Sequence, residues 1–303
     1  MNTAVIDIGT NTLLLLVVDP QMRPVVDLCR FGRLGKGLDR SGELAAETIA
    51  NSLEICREYR RVMDEHHVTK PAVIGTQALR EAKNSQQFVG PAETILGAPI
   101  EIIAGAREAE LAFTAVSRTF QDLAGTPYVV VDVGGGSTEI ITTDGSRVVS
   151  AVSVPLGAVR LTERHLAHDP PTPDEVRELT ADIDRALDAL ELPQNVVIVG
   201  TAGTATTMAA IKLELTTYDP IAVTGLHLAP NTVNAMLARL LAATIAERRA
   251  IAGVVPQRAD VIAAGVAIYS RLVHRIGAPA FVTCDRGIRW GVAYERVSTG
   301  QPG

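Results

Sequence analysis

Two stretches of the sequence share one pattern, and this pattern decides the expected fold. The first reads Ala4-Val5-Ile6-Asp7-Ile8-Gly9-Thr10-Asn11-Thr12-Leu13, and the second reads Val129-Val130-Val131-Asp132-Val133-Gly134-Gly135-Gly136-Ser137-Thr138. In each copy an apolar run ends at an aspartate, glycine follows two positions later, and a hydroxyl residue stands five positions after the aspartate. The aspartates are 132 − 7 = 125 positions apart. The pattern predicts a strand, a tight turn and a second strand, repeated by duplication of one lobe.

Segments of helical and strand periodicity follow each copy, so the chain is expected to be of the α/β class. Apolar residues at helical spacing predict helices over residues 43–65, 107–120, 173–190, 230–243 and 260–276, and short apolar runs predict strands over residues 71–75 and 196–199. Gly125-Thr126-Pro127 is typical of a hinge. We therefore predict an N-terminal lobe over residues 1–125 and a C-terminal lobe over residues 126–303, with the last helix able to pack back on the first lobe.

The two glycine-containing turns are candidate phosphate sites. A glycine-rich turn exposes successive backbone N–H groups, which bind phosphate oxygens. The predicted phosphate-binding residues are Gly9, Thr10, Asn11, Thr12, Gly134, Gly135, Gly136, Ser137 and Thr138. Asp7 and Asp132 at the turn mouths suit Mg²⁺, which is held by one or two carboxylates, waters and the substrate's phosphates. A single such turn is more often a plain hairpin, but two matched copies favour the phosphate hypothesis.

Composition limits the class of protein. The 303 residues are 47% hydrophobic and 20% charged, as in a globular protein, and the formal charge of -6 argues against nucleic-acid binding. Three widely spaced cysteines form neither a disulfide framework nor a zinc motif. The apolar run over residues 13–18 is flanked by Asp7 and Asp19, which argues against a signal peptide and a membrane span. A cytoplasmic protein is expected.

The sequence resembles the exopolyphosphatase and guanosine pentaphosphate phosphohydrolase (Ppx/GppA) family across essentially its whole length. Besides the two turns, the resemblance rests on Gly75-Thr76-Gln77-Ala78-Leu79-Arg80, Ile103-Ala104-Gly105-Ala106-Arg107-Glu108-Ala109, Pro155-Leu156-Gly157-Ala158-Val159-Arg160, Pro256-Gln257-Arg258-Ala259-Asp260 and Asp285-Arg286-Gly287-Ile288-Arg289, in this order. It implies two ribonuclease-H-like lobes of the actin, Hsp70 and sugar-kinase superfamily around a phosphate-binding cleft. It also implies Mg²⁺ or another divalent cation as cofactor, and it allows a homodimer.

The resemblance also implies roles for single residues. Asp7 and Asp132 resemble the metal and phosphate aspartates, Glu108 the glutamate that positions or deprotonates the attacking water, and Arg80 a phosphate-facing arginine. Taken alone, Glu108 is better explained as an acid favoured at a helix start, and Arg80 as a solvated or paired surface charge. Arg33 and Lys36 belong to a run of four cations in residues 30–40, which is either a guide for the polyanion or an exposed basic loop.

Four positions depart from the family's pattern. Arg107 replaces the first of two successive acids, Gln77 and Ala104 stand where serine is usual, and Trp290 replaces a common glutamate. These departures bear on substrate preference and rate more than on reaction type.

The expected function is hydrolysis of phosphoanhydrides. An exopolyphosphatase that releases terminal orthophosphate from polyphosphate is the first hypothesis, and a guanosine pentaphosphate (pppGpp) 5'-phosphohydrolase is the alternative, since the terminal linkage is the same. A weakly catalytic sensor of polyphosphate or guanosine polyphosphates is a third hypothesis, motivated by Arg107 and the missing hydroxyls. A sugar kinase is a fourth, because residues 200–204 resemble the adenosine-binding position of the superfamily.

Overall fold

The structure is a computed structural model that describes residues 2–298. Its strands are β1 (Thr3–Ile8), β2 (Leu13–Val18), β3 (Pro24–Arg30), β4 (Ala72–Gly75), β5 (Ile100–Ile102), β6 (Tyr128–Val133), β7 (Thr138–Thr143), β8 (Val148–Val154), β9 (Val197–Thr201), β10 (His227–Leu228) and β11 (Phe281–Thr283). Its helices are α1 (Leu38–Ser41), α2 (Ala46–Glu65), α3 (Gln77–Glu81), α4 (Gln86–Leu96), α5 (Gly105–Thr119), α6 (Ala158–His165), α7 (Pro173–Asp188), α8 (Ala202–Lys212), α9 (Pro220–Val223), α10 (Pro230–Ala242), α11 (Ile245–Arg249), α12 (Ile262–Ile276) and α13 (Ile288–Ser298).

The chain divides into two compact units. The first contains the residues up to Ala115 together with those from Ile288 onward, and the second is Val116–Gly287. The division falls inside α5, ten positions before the predicted boundary at residue 125. Helix α13 belongs to the first unit, where it contacts β1 and β2.

Each unit contains one mixed sheet, and the two sheets repeat the same strand order. The strand order is β3-β2-β1-β4-β5 in the first sheet. Read in the same direction, the order in the second sheet is β8-β7-β6-β9-β11-β10. In both, an antiparallel three-stranded meander is followed by a strand parallel to its first member. The offset from β1 to β6 is 128 − 3 = 125 positions, and that from β2 to β7 is 138 − 13 = 125. The predicted α/β class and the duplication are therefore confirmed.

The two cores are apolar and lie on the sheets. In the first unit, Ala4, Ile6 and Ile8 of β1 pack in one cluster with the buried face of α2. In the second unit, alternate valines of β6 pack with residues of α7 and α12. Alternation along a strand places residues of one parity on one face, so the odd positions of β1, including Asp7, belong to the other face. Among residues 2–298, no helix combines the length and apolar composition needed to cross a membrane.

The predicted helices and strands occur, with boundaries shifted by a few residues. The helix from Pro173 begins with a capping box, as its sequence predicts: the Thr172 hydroxyl accepts from the Glu175 amide, and the Glu175 carboxylate accepts from the Thr172 amide. The elements that were not predicted are strands β3, β5, β8, β10 and β11 and helices α1, α3, α4, α6, α8, α9 and α11. Of these, α4 contains Pro91, and the segment of α8 was interpreted only as a turn.

The start of α5 lacks a side-chain acceptor at its capping position. Ala104 precedes the helix, and its carbonyl oxygen accepts from the amides of Arg107 and Glu108 at 2.9 and 3.0 Å. A serine hydroxyl there would accept from an unpaired amide of the first turn. We expect Ala104→Ser to raise the free energy of unfolding by about 1 kcal/mol, measured by urea denaturation. Ala106→Ser, inside the helix, is the matched control; an equal gain from both would contradict the capping explanation.

Candidate active site

The hairpin turns that follow Asp7 and Asp132 are closed in the same way. In the first, the Gly9 amide donates to the carbonyl of Thr12 at 2.9 Å; in the second, the Gly134 amide donates to the carbonyl of Ser137 at 3.0 Å. A methyl group added to either glycine would lie 3.1 Å from that carbonyl oxygen. The sequence repeat is thus also a repeat of backbone geometry.

In the first turn, neighbouring backbone holds the carbonyl groups. The Gly35 amide donates to the carbonyl of Thr10, and the Arg33 amide donates to that of Asn11, both at 2.9 Å. Arg33 has a left-handed φ of 52°, and a methyl group on Gly35 would lie 2.4 Å from the Thr10 side chain. The loop that contains the predicted cations is therefore the support of the first turn.

In the second turn, the start of helix α6 holds the carbonyl groups. At the start of this helix, the backbone amides of Val159 and Arg160 donate to the carbonyl of Gly135 at 2.8 and 3.1 Å. The Arg160 side chain adds a bond from Nε to the carbonyl of Gly136 at 2.8 Å. Gly157 fits directly against the turn, since a methyl group on it would lie 2.3 Å from the Gly135 oxygen.

The amide groups of both turns remain available as donors. Among residues 2–298, the amides of Thr10, Asn11, Gly135 and Gly136 donate to no protein acceptor. Successive amides whose carbonyls are bound from the other side form an anion-binding nest. Each unit therefore contains a turn that can bind phosphate through its backbone.

The side-chain hydroxyls of the turns are mostly committed to the protein. The Thr10 hydroxyl donates to Oε1 of Gln77 at 2.7 Å. The side chain of Gln77, one of the departures from the family's pattern, therefore fixes the turn. The Ser137 hydroxyl donates to Glu139 at 3.0 Å. Thr138 is fully buried and donates to the carbonyl of Leu156 at 2.6 Å, so it attaches β7 to the segment before α6. We therefore leave Thr138 out of the phosphate-binding set proposed below.

The two aspartates have unlike neighbours. Asp7 pairs in the sheet with Leu14 and with Ile74. At the equivalent positions of the second unit, Asp132 pairs with Glu139 and with Thr201. Residues directly opposite on neighbouring strands share one face of the sheet, so Asp132 lies in a polar row and Asp7 between apolar residues.

Glu139 is a candidate site residue that the sequence analysis missed. It is 1% exposed and lies beside Asp132, and Oε1 of its carboxylate accepts from the hydroxyls of Ser137 and Ser153 at 3.0 and 2.7 Å. The signal was present in the repeat, since the first copy has Leu14 at the matching position. A buried carboxylate beside Asp132 adds an oxygen ligand for a cation.

The sheet edge under Asp132 is fixed by Tyr269 of α12. Its hydroxyl oxygen lies 3.0 Å from the carbonyl oxygen of Val131 and 2.9 Å from that of Thr201, so it ties the ends of β6 and β9 together. Burial, with a contribution from the charge of Asp132, raises the pKa of the Tyr269 hydroxyl well above its usual value. The hydroxyl therefore stays protonated and remains a donor at neutral pH.

The carboxylates fit the predicted cation. Carboxylate oxygens are the ligands that Mg²⁺ prefers, and the candidates are Asp7 in one unit and Asp132 with Glu139 in the other. Within residues 2–298, no group of three or more His, Cys, Asp or Glu side chains could form a metal site. Mg²⁺ is bound through one or two carboxylates together with waters and the substrate's phosphates, so a pair such as Asp132 and Glu139 has the donor type that it uses.

Glu108 and Arg80 lie together in the first unit. Glu108 is 3% exposed on the first turn of α5, and the Arg80 guanidinium forms an ion pair with its carboxylate. The same Nη1 atom donates to the carbonyl of Ile103. The ion pair and the bond to Ile103 fix the direction of the Glu108 carboxylate.

The departure at Arg107 has a structural explanation. Its guanidinium pairs with Glu110 at 3.0 Å and with Glu295 of α13, both within the first unit. This arginine therefore attaches α13 to α5. Trp290, the departure that lies on α13, is 3% exposed and packs against Tyr294.

Residues 200–204, at the start of α8, are covered by a side chain. Arg258 donates from Nη1 to the carbonyl of Gly203 at 2.7 Å and to the Thr207 hydroxyl at 2.8 Å. A methyl group on Gly203 would lie 2.3 Å from the guanidinium. The segment 200–204, which motivated the kinase hypothesis, is therefore occupied by the Arg258 side chain.

The contact between Gly157 and the second turn generates a prediction. Gly157→Ala inserts a methyl group into the space of the Gly135 carbonyl, so the turn must shift. We expect an unfolding free energy lower by about 1–3 kcal/mol and loss of phosphate binding, measured by denaturation and by titration with tripolyphosphate. Gly90→Ala in α4 is the control, because its added methyl group meets nothing within 4 Å. A Gly157→Ala protein that binds normally would contradict the role of α6 in holding the turn.

Comparisons with known proteins identify the family of the chain. A model of the Ppx/GppA phosphatase family matches residues 16–299. The chain is 35% identical to exopolyphosphatase 2 of Mycobacterium tuberculosis over 96% of this chain and 97% of that protein. It is 29% identical to the guanosine-5'-triphosphate,3'-diphosphate pyrophosphatase of Vibrio cholerae, covering 97% of this chain and 59% of that protein. The crystal structure of the family member from Aquifex aeolicus is similar with a TM-score of 0.82 at 29% identity, covering 100% of this chain and 99% of the other. The chain belongs to the Ppx/GppA phosphatase family.

Proposed function

We propose that the protein is an exopolyphosphatase that releases terminal orthophosphate from inorganic polyphosphate. The observation that carries the proposal is the pair of matched turns, whose carbonyls are bound by the protein and whose amides are free to donate. The 35% identity to a mycobacterial exopolyphosphatase over nearly the whole of both chains supports the same reaction.

In this proposal the amides at Thr10, Asn11, Gly135 and Gly136 bind phosphate oxygens. The residues Gly9, Thr12, Gly134 and Ser137 contribute by closing the two turns. Phosphoryl transfer depends on positioning and charge stabilisation more than on covalent chemistry, so backbone donors are well suited to it. The loop with Arg33 and exposed Lys36 adjoins the first turn and is proposed to guide the incoming polyanion.

Glu108 is the proposed acceptor of the water proton. Water attacks the terminal phosphorus, its proton passes to the Glu108 carboxylate, and the bridging P–O bond breaks, so that orthophosphate and a chain shorter by one phosphate result. Arg80 holds Glu108 in place through their ion pair. Asp7 in the first unit and Asp132 with Glu139 in the second are the proposed carboxylate ligands of Mg²⁺, which would neutralise developing charge on the phosphate oxygens.

A pppGpp 5'-phosphohydrolase is the second candidate, favoured by the likeness to the Vibrio cholerae protein. Phosphate release from polyphosphates of defined length and from pppGpp, measured side by side with Mg²⁺, separates the candidates. We expect the higher kcat/KM on polyphosphate. Release from pppGpp alone would favour the second candidate, and binding of either ligand without release would favour a sensor.

The assignment of Glu108 is tested by substitution. Glu108→Gln keeps the size of the side chain but removes the proton acceptor, and we expect kcat to fall at least about a hundredfold with KM unchanged. Glu110→Gln is the matched control, because Glu110 lies on the same helix, is exposed and pairs with Arg107. Full activity in the Glu108→Gln protein would show that another group accepts the proton.

A further inference from the structure

The side-chain hydroxyl of Thr201 is buried without a hydrogen-bond partner. Thr201 is the last residue of β9 and is fully buried, and its Oγ1 atom forms no hydrogen bond with any residue between 2 and 298. A buried hydroxyl in this position has given up its bonds to water and gained none in return, so it destabilises the folded chain. Because buried polar groups are nearly always paired, the exception at Thr201 needs an explanation.

The helix that follows Thr201 does not use the hydroxyl. Thr201 occupies the N-cap position of α8, where a threonine hydroxyl ordinarily accepts from an amide of the first turn. Thr172 and Thr244 accept in this way at the starts of α7 and α11, whereas the Thr201 side chain caps none of the described residues of α8. The backbone of Thr201 is engaged, since its carbonyl oxygen lies 2.9 Å from the hydroxyl oxygen of Tyr269. Only the side-chain hydroxyl is left over.

The packing of the sheet does not require a hydroxyl at this position. Asp132 pairs across the sheet with Thr201, and at the equivalent place in the first unit Asp7 pairs with Ile74. Ile74 is β-branched like threonine, and it is 3% exposed. The duplicated sheet therefore accommodates an aliphatic side chain where the second unit has Thr201. A role in folding does not explain the hydroxyl.

Thr201 stands beside the carboxylates that fit a divalent cation. Glu139, Asp132 and Thr201 are direct neighbours across β7, β6 and β9, and all three are buried. Neighbouring strands lie about 4.8 Å apart, and paired residues share one face of the sheet. Mg²⁺ prefers oxygen ligands, and a serine or threonine hydroxyl is one that phosphate-binding sites use. The row across the three strands thus contains two carboxylates and one neutral oxygen.

We propose that the Thr201 hydroxyl is a third oxygen ligand of the divalent cation at Asp132 and Glu139. The inference rests on the proposed use of Mg²⁺ in phosphoanhydride hydrolysis, and it gives that cation a ligand from outside the two repeated turns. A neutral ligand adds no negative charge beside the substrate's phosphates, which a third carboxylate would repel. The bound cation gives the hydroxyl oxygen a polar partner, which offsets the cost of its burial.

Thr201→Val tests the proposal, because valine keeps the shape of the side chain and replaces the hydroxyl with a methyl group. We expect two effects of opposite sign. The melting temperature of the Mg²⁺-free protein should rise by about 2–4 °C, since an unpaired buried hydroxyl is removed. The Kd for Mg²⁺, measured by titration calorimetry without substrate, should increase about tenfold. Thr201→Ser keeps the hydroxyl and should bind Mg²⁺ as the wild-type protein does.

Thr283→Val is the matched control. Thr283 is fully buried on the neighbouring strand β11, and its hydroxyl donates to the carbonyl of Val223. Removing this paired hydroxyl should lower the melting temperature and leave the Kd for Mg²⁺ unchanged. A Thr201→Val protein that binds Mg²⁺ as tightly as the wild type would overturn the proposal, and so would a wild-type protein that binds no Mg²⁺.

The binding measurement separates this proposal from the proposed reaction. If the wild-type protein releases phosphate from neither polyphosphate nor pppGpp, the proposed function fails, while weaker Mg²⁺ binding by Thr201→Val still supports the ligand. If the protein is active, the Mg²⁺ concentration for half-maximal rate should rise about tenfold in Thr201→Val, with kcat at saturating Mg²⁺ unchanged. A lower kcat with an unchanged Mg²⁺ requirement would contradict the assignment of Thr201.

Discussion

The binding of backbone carbonyls behind two hairpin turns is the constraint on which the rest of the site depends. A peptide group has a donor and an acceptor end, and a turn presents its amides to a ligand only if its carbonyls are satisfied elsewhere. In the first unit the loop at Arg33 and Gly35 satisfies them, and in the second the start of α6 and Arg160 do. The two donor segments occupy equivalent places after the third strand of each unit, because the bond from Gly35 to Thr10 recurs 125 positions later as the bond from Arg160 to Gly135. One segment is a loop and the other begins a helix.

The duplicated units have nonetheless diverged in the chemistry beside the turns. Glu139 and Thr201 surround Asp132, whereas Leu14 and Ile74 stand at the equivalent positions beside Asp7. The buried carboxylate of Glu139 is stabilised by two serine hydroxyls, which offset the cost of removing its charge from water. The second unit thus has two carboxylates beside its turn, and the first contains the Arg80 and Glu108 pair.

Much of this arrangement follows from the sequence, because the decisive features are local. The turns, both aspartates and the capping box at Thr172 are encoded in a few adjacent residues, so pattern and spacing predict them. Glu139 was missed because the two copies were compared for what they share, not for where they differ. Arg160, Gly157 and Arg258 act through contacts with residues 22 to 55 positions away, which no local pattern encodes. The role of Arg107 depends likewise on a partner in the last helix.

A crystal structure with Mg²⁺ and tripolyphosphate tests the central claim most directly. The account predicts phosphate oxygens about 3 Å from the amide nitrogens of Thr10 and Asn11 and of Gly135 and Gly136, with the carbonyls of both turns still bound to their present donors. Phosphate bound only to side chains, with these amides facing solvent, would contradict it.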